Sequence, residues 1–150
     1  MRGYAAIGLV RPKDKANIGS VLRAAGCYDA KLVAIAGQRV KHGMAKTAPT
    51  DTMDAWKHMP VVIGAEILSM IPVGAVPVAV DLVPGAVSLV DFVHPERAFY
   101  IFGPEDGTLG KSVTDSCAHK VMVPTRHCMN LAATVNVILY DRLAKGLRDA

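Results

Sequence analysis

Short apolar runs alternate along the chain with segments whose apolar positions recur every three to four residues, and that alternation predicts the elements. The run Tyr4–Val10 reads as a strand of small and β-branched residues. Ile18, Val21, Leu22 and Ala25 then follow at helical spacing, with Asn17 placed as an N-cap and Gly26 near the C-terminal end. Further strands are expected over 31–36, 61–63, 76–81, 98–102 and 120–123, with a helix-like turn over 65–71. From 130 to 147, Leu131, Val135, Ile138, Leu139, Arg142 and Leu143 fall on one broad stripe, which predicts a C-terminal helix. Strands that alternate with helices and read as unbroken apolar runs imply an α/β fold, a mostly parallel sheet with helices on both faces. Ligands of such sheets sit beyond the carboxyl ends of the strands, so chemistry is expected in the loops after Val10, Asp81, Phe102 and Val123.

Composition narrows the picture. Of 150 residues, 51% are hydrophobic and 20% charged, which excludes a disordered or low-complexity chain. A chain of this length is expected to form one domain over 1–150. Lys and Arg number 17 against 13 Asp and Glu, and the net charge of +4 permits an anionic partner such as RNA without demanding one. Aromatic residues are 5%, too few for an extended base-stacking platform, so RNA binding is expected to rest on phosphates and shape. Cys27, Cys117 and Cys128 are odd in number and widely spaced, which fits a reducing cytoplasm and no disulfide framework. The nearly uncharged stretch 60–80 is long enough to span a bilayer, but Glu66, Pro72 and Pro77 would break such a helix. Two buried strands around a short helix are expected there, in a soluble cytoplasmic protein with no membrane partner.

Two attractive motifs fail on chemistry. The stretch 105–112 nearly spells a phosphate-binding loop, but Glu105 stands where that loop needs a glycine, and its carboxylate would repel phosphate. Cys117, His119, His127 and Cys128 are metal-ligand types, but a strand separates the two pairs and the usual short spacing is missing, so no metal is expected. The segment 38–60 is polar and basic, with Arg39, Lys41, His42, Lys46, Lys57 and His58, and reads as a solvated surface or a substrate-facing flap.

Three polar segments remain, each beside a strand end. They are Asn17-Ile-Gly-Ser-Val-Leu-Arg23, Phe102-Gly103-Pro104-Glu105, and Val121-Met-Val-Pro124 followed by Cys128-Met129-Asn130. Each is weak taken alone: Asn17 and Asn130 read equally as helix caps and Arg23 as a surface cation, while Gly103 would let a ligand approach the backbone and Glu105 supplies a carboxylate. Together, in this order, they resemble the three motifs of the SpoU-type branch of the SPOUT RNA methyltransferases. The Asn-x-Gly-x-x-x-Arg stretch is similar to the first motif, Phe102 to Glu105 to the second, and Val121 to Pro124 with Met129-Asn130-Leu131 and the helix through Tyr140-Asp141 to the third. The resemblance covers essentially the whole chain and is nearest to the small single-domain tRNA wobble-position ribose 2′-O-methyltransferases.

That resemblance implies a deep C-terminal trefoil knot, a homodimer with its active site at the subunit interface, and S-adenosyl-L-methionine as cofactor. It places the cofactor at Val80, Gly103, Val123, Cys128 and Met129. Arg23, reaching in from the partner subunit, would act on the ribose 2′-hydroxyl, with Glu105 and Asn17 orienting it and Asn130 shaping the pocket. Arg39, Lys41, Lys46 and Arg126 are the expected phosphate contacts. The substrate implied is RNA, tRNA ahead of ribosomal RNA. Three positions depart from the family pattern: Thr108 replaces a glycine, the loop from Pro124 to Cys128 is short, and Cys128 replaces a common serine. These departures motivate an alternative, a knotted RNA-binding protein without turnover.

Overall fold

β1 (Tyr4–Val10) leads through a tight turn into α1 (Lys15–Cys27), which returns the chain to β2 (Val33–Ala36) and, after a longer excursion, to β3 (Val61–Gly64). The computed structural model describes residues 3–39 and 44–148. Beyond β3 come β4 (Val76–Val80), β5 (Val87–Ser88), β6 (Arg97–Phe102), α2 (Lys111–Asp115), β7 (His119–Met122) and α3 (Leu131–Arg148). The strands form one parallel sheet in the order β3-β2-β1-β6-β4-β7-β5.

Period-two alternation divides the apolar side chains between the two faces of the sheet. Ile7, Leu9, Val33, Ile35, Val78, Tyr100 and Phe102 point to one face, where Ile18, Val21 and Leu22 of α1 and Val135, Ile138 and Leu139 of α3 cover them. Ala6, Val10, Ala34, Ala79, Phe99 and Ile101 point to the other, against Ile67, Leu109 and Val113. Helices therefore cover both faces as expected, but unequally. The two long ones share one face, while the other carries α2 and the short 3-10 turn Ile67–Met70. Gly8 leaves room on the second face: a Cβ there would sit 2.7 Å from the Phe99 ring.

Local chemistry moves several predicted boundaries. α1 is capped by Asp14, not Asn17: the Asp14 backbone is extended (φ −101°, ψ 121°) and its side chain accepts from Ala16 N at 2.8 Å. An acidic cap also suits the positive end of the helix dipole. Residues 65–71 make only a 3-10 turn, because Ile71 precedes Pro72 and is extended, as residues before proline are. β3 is an edge strand rather than a buried one, and Val62 is 39% exposed. The strand pairing is non-local in two places: β6 lies between β1 and β4, and β7 lies between β4 and β5, which are consecutive in sequence and joined by the short connection 81–86.

Candidate active site at the carboxyl edge of the sheet

β4, β6 and β7 are neighbours and end at Val80, Phe102 and Met122, so the loops beginning at Asp81, Gly103 and Val123 leave the sheet side by side. Asp81 ties them together. Its backbone N–H donates to the Val121 carbonyl at 3.1 Å, and its Oδ2 accepts from Leu109 N at 3.3 Å. A Cβ at Gly103 would lie 3.0 Å from Leu109 N, so glycine lets the loop after β6 fold back on itself.

The chain leaving β1 clasps the same loop from the other side. The Glu105 carboxylate accepts from the backbone N–H groups of Lys13 at 3.1 Å and Asp14 at 2.9 Å. Arg11 Nη2 donates to the Thr108 carbonyl at 3.1 Å. Arg39 grips Asp106 through both terminal nitrogens, at 2.8 and 3.1 Å, and also donates to the Arg11 carbonyl. The hydrogen bond from that guanidinium holds the Asp106 carboxyl below the usual carboxylate range. Arg11 adopts a left-handed φ of 49° to make this turn, a conformation that costs a residue with a Cβ about 1–2 kcal/mol. The clasp offsets it.

α3 starts at this edge too. Asn130 Oδ1 accepts from Ala132 N at 2.9 Å and Ala133 N at 3.2 Å, the cap that the sequence predicts. Its Nδ2 donates to Asn17 Oδ1 at 2.9 Å, which pins the first turns of α1 and α3 together. Asn17, Glu105 and Asn130, which lie far apart in sequence, thus all hold the amino end of α1 or the helix beside it.

Arg23 stands apart from these three. It is about 9 Å further along the α1 axis than Asn17, exposed, and without a hydrogen-bond or ion-pair partner among the described residues. It lines a cavity of about 450 Å³ with Ser20, Cys27, Thr50, Thr52 and Asn136. The outer wall of that cavity is the segment around Thr50, whose hydroxyl donates to the Ala16 carbonyl. Buried Asp51 fixes the wall from within by accepting from Ala55 N at 2.9 Å and Trp56 N at 3.3 Å.

The sheet edge, the clasped loop and the paired helix starts follow the order of the three sequence motifs, and a family model matches the chain over residues 4–140, that of the SpoU rRNA Methylase family. The chain belongs to this family. No curated protein is matched by sequence search. Among solved structures, the SpoU methyltransferase AviRb from Streptomyces viridochromogenes, in complex with AdoMet, is 20% identical with a TM-score of 0.84, covering 98% of this chain and 59% of that one. An AdoMet-bound rRNA methyltransferase from Sinorhizobium meliloti is 19% identical (TM-score 0.83, 97% and 57% covered). A protein described in connection with 2-OH methylation of C/U34 on tRNA is 20% identical (TM-score 0.78), with 97% of both chains covered. At these identities the likeness is one of fold. The chain spans less than two thirds of the length of the first two.

In this SpoU family member the positions expected to hold a cofactor have the chemistry for it. Val80, Gly103 and Val123 are at or just past adjacent strand ends, and the backbone N–H and C=O groups of Cys128 and Met129 have no hydrogen-bond partner among the described residues. Those groups are available to an adenosyl ligand. Of the basic positions, Arg126 and Lys46 are exposed, Arg39 is engaged with Asp106, and Lys41 lies outside the described residues. Among the described residues no group of three or more His, Cys, Asp or Glu could hold a metal ion, and no helix is long and apolar enough to cross a membrane. Sequence reasoning missed Asp81, Arg11 and the cap Asp14. Asp81 carried a signal, as a charged residue closing an otherwise apolar strand.

Proposed function

We propose that this chain transfers a methyl group from S-adenosyl-L-methionine to a ribose 2′-hydroxyl of RNA, with tRNA the preferred class over ribosomal RNA. Its 150 residues serve as one catalytic domain, and two copies form a cytoplasmic homodimer. The observation that carries this reading is the meeting of the three motif segments at one sheet edge, through the Glu105 clasp on Lys13 and Asp14 and the Asn130–Asn17 hydrogen bond.

Val80, Gly103, Val123, Cys128 and Met129 hold the cofactor, chiefly through backbone groups. The bound cofactor supplies an electrophilic methyl on a sulfonium. What the chain must add is alignment of the ribose oxygen with it, and alignment of this kind is worth several orders of magnitude in rate. Arg23 gives that alignment to the site of the partner subunit. Its exposure and its lack of a partner among the described residues support the role, since a guanidinium already bound within its own chain could not reach across. Arg23 positions ribose and phosphate through its planar fork of donors, and the proton leaves to phosphate or water. Glu105 and Asn17 orient Arg23 through α1: they fix the start of the helix that carries it. The placement of β7 between β4 and β5 supports a trefoil crossing in which 81–86 passes over the chain leaving β7.

The test is transfer of labelled methyl from S-adenosylmethionine to total tRNA and to ribosomal RNA, with wild type and Arg23→Ala. Arg23-dependent incorporation into tRNA is expected. Cofactor binding without transfer to either pool would favour the binding-only reading, and absence of cofactor binding would refute the proposal.

A further inference from the structure

Trp56 is the single tryptophan of the chain, and it lies in the 3-10 turn Ala55–Lys57, four residues beyond Thr52 of the cavity that Arg23 lines. It packs against the core beneath α1, its Nε1 is buried with no hydrogen-bond partner, and Asp51 accepts from its backbone N–H. The ring is therefore rigidly seated. Two ammonium groups lie over it: Lys46 Nζ at 5.3 Å and Lys57 Nζ at 5.6 Å from its centroid. Both lysines are exposed. Lys57 also pairs with Asp54 at 3.3 Å, whereas no carboxylate pairs with Lys46 among the described residues. The electron-rich face of the indole holds the two cations in place, but it does not neutralise them.

Two like charges gathered on one half-buried aromatic ring, near a cavity lined by an arginine with no partner among the described residues, form a surface for an anionic chain with flat groups. We infer that Lys46, Trp56 and Lys57 are a contact point for single-stranded RNA next to the target ribose. The ammonium groups take backbone phosphates, and their departure from the ring leaves the indole face to a splayed base. This pairing of cations with one aromatic platform is how single strands are held without sequence readout. The inference rests on the RNA methylation reading above and adds to it the surface that the flanking strand follows.

Because Trp56 is the only tryptophan, its fluorescence reports this contact directly. Wild type, Lys46→Met/Lys57→Met and Trp56→Leu are titrated with a short single-stranded oligouridylate and with total tRNA over a range of salt, by emission and by filter binding. Thermal midpoints and S-adenosylmethionine affinity of the same preparations show that the fold is intact. Saturable change of Trp56 emission is expected, with binding about tenfold weaker in Trp56→Leu. The double lysine variant should flatten the slope of log affinity against log salt by about 1.4, which is about 0.7 for each lost single-strand phosphate contact. Filter binding with unchanged emission, and a wild-type salt slope in the lysine variant, would overturn the inference while leaving the methylation reading standing. A wild type that binds cofactor but neither RNA would overturn both.

Discussion

Two helical glycines should respond to the same substitution with opposite sign. Alanine is favoured over glycine inside a helix by about 0.5–1 kcal/mol. At Gly146 in α3 nothing lies within 4 Å of the added methyl, so that gain stands. At Gly19 in α1 the methyl would sit 2.9 Å from Ala48 Cβ, 3.0 Å from Asp51 N, and against the Thr50 hydroxyl. Thr50 cannot simply turn away, because it donates to the Ala16 carbonyl. Overpacking of this kind costs about 1–3 kcal/mol, and breaking the Thr50 hydrogen bond adds about 0.5–1.5 kcal/mol. Set against the helix gain, Gly19→Ala should lose about 1–3 kcal/mol. At about 2–4 °C per kcal/mol for a chain of this size, its thermal midpoint falls by about 2–12 °C, while that of Gly146→Ala rises by about 1–4 °C. Thermal unfolding of both variants and the double, at one protein concentration, measures this, and the double should be additive because the sites share no partner. Gly19→Ala should also lose methyl transfer at temperatures where it is fully folded, since the displaced segment forms the wall around Arg23. A midpoint at or above wild type for Gly19→Ala would refute the docking of 48–51 on α1.

Other substitutions probe chemistry more than packing. Arg23→Ala and Arg23→Lys should both lose about 10²-fold or more in transfer with unchanged thermal midpoints, because alignment is lost and a point charge cannot replace the planar fork; near-full turnover by either would refute the positioning role. Burial lowers the pKa of His94 below 6.5, against the opposing pull of Asp141. The unfolded chain then takes the proton first, so stability is full above pH 6.5 and falls as pH drops through the window below it. Urea midpoints across that window should show the fall, and His94→Gln should flatten it; equal slopes would count against the assignment. Burial pushes the Cys117 thiol up to about 11, while Cys27 and Cys128 are exposed. Alkylation mapped by mass should therefore reach Cys27 and Cys128 first, and bound S-adenosylmethionine should protect Cys128 alone.

The parts of the fold set by local periodicity were legible in the sequence. β1 matches its run, α1 and α3 bury the residues on their stripes except Leu143, and Asn130 caps α3 as its position suggests. Cap choice at α1 was less legible, because Asp14 and Asn17 are both cap residues three positions apart. The outcome depends on Glu105, which lies 91 residues beyond Asp14 and takes its backbone N–H. Partners across such a separation leave no local trace. The same holds for Arg39, which pairs with Asp106, 67 residues away. The insertion of β7 between β4 and β5 is likewise invisible to periodicity, since each strand reads the same whichever neighbours it takes. Only the joint order of the three motifs carried that information.

A dense polar network lies away from the site, and it explains how the site is held. α3 is fixed at its far end by Arg142, which donates to the carbonyls of Pro95 at 2.6 Å and Glu96 at 2.7 Å and to the Tyr100 hydroxyl at 3.0 Å. Lys145 donates to the carbonyls of Leu89 and Phe92, and His94 bridges Tyr100 and Asp141 at 2.7 Å on each side. Burial pushes the Tyr100 hydroxyl up to about 12, so it stays neutral and serves both as donor and as acceptor. A buried arginine on an otherwise apolar stripe is costly unless its donors are met, and here carbonyls and a hydroxyl meet both terminal nitrogens of the guanidinium. With Asn130 fastening the near end to Asn17, the segment 123–130 runs between two fixed supports, β7 and α3. The backbone groups of Cys128 and Met129, without partners among the described residues, are thus held in place before any ligand arrives. A ligand that meets them gains hydrogen bonds without bearing the entropy of ordering the loop, which is the condition under which a short backbone segment can bind tightly.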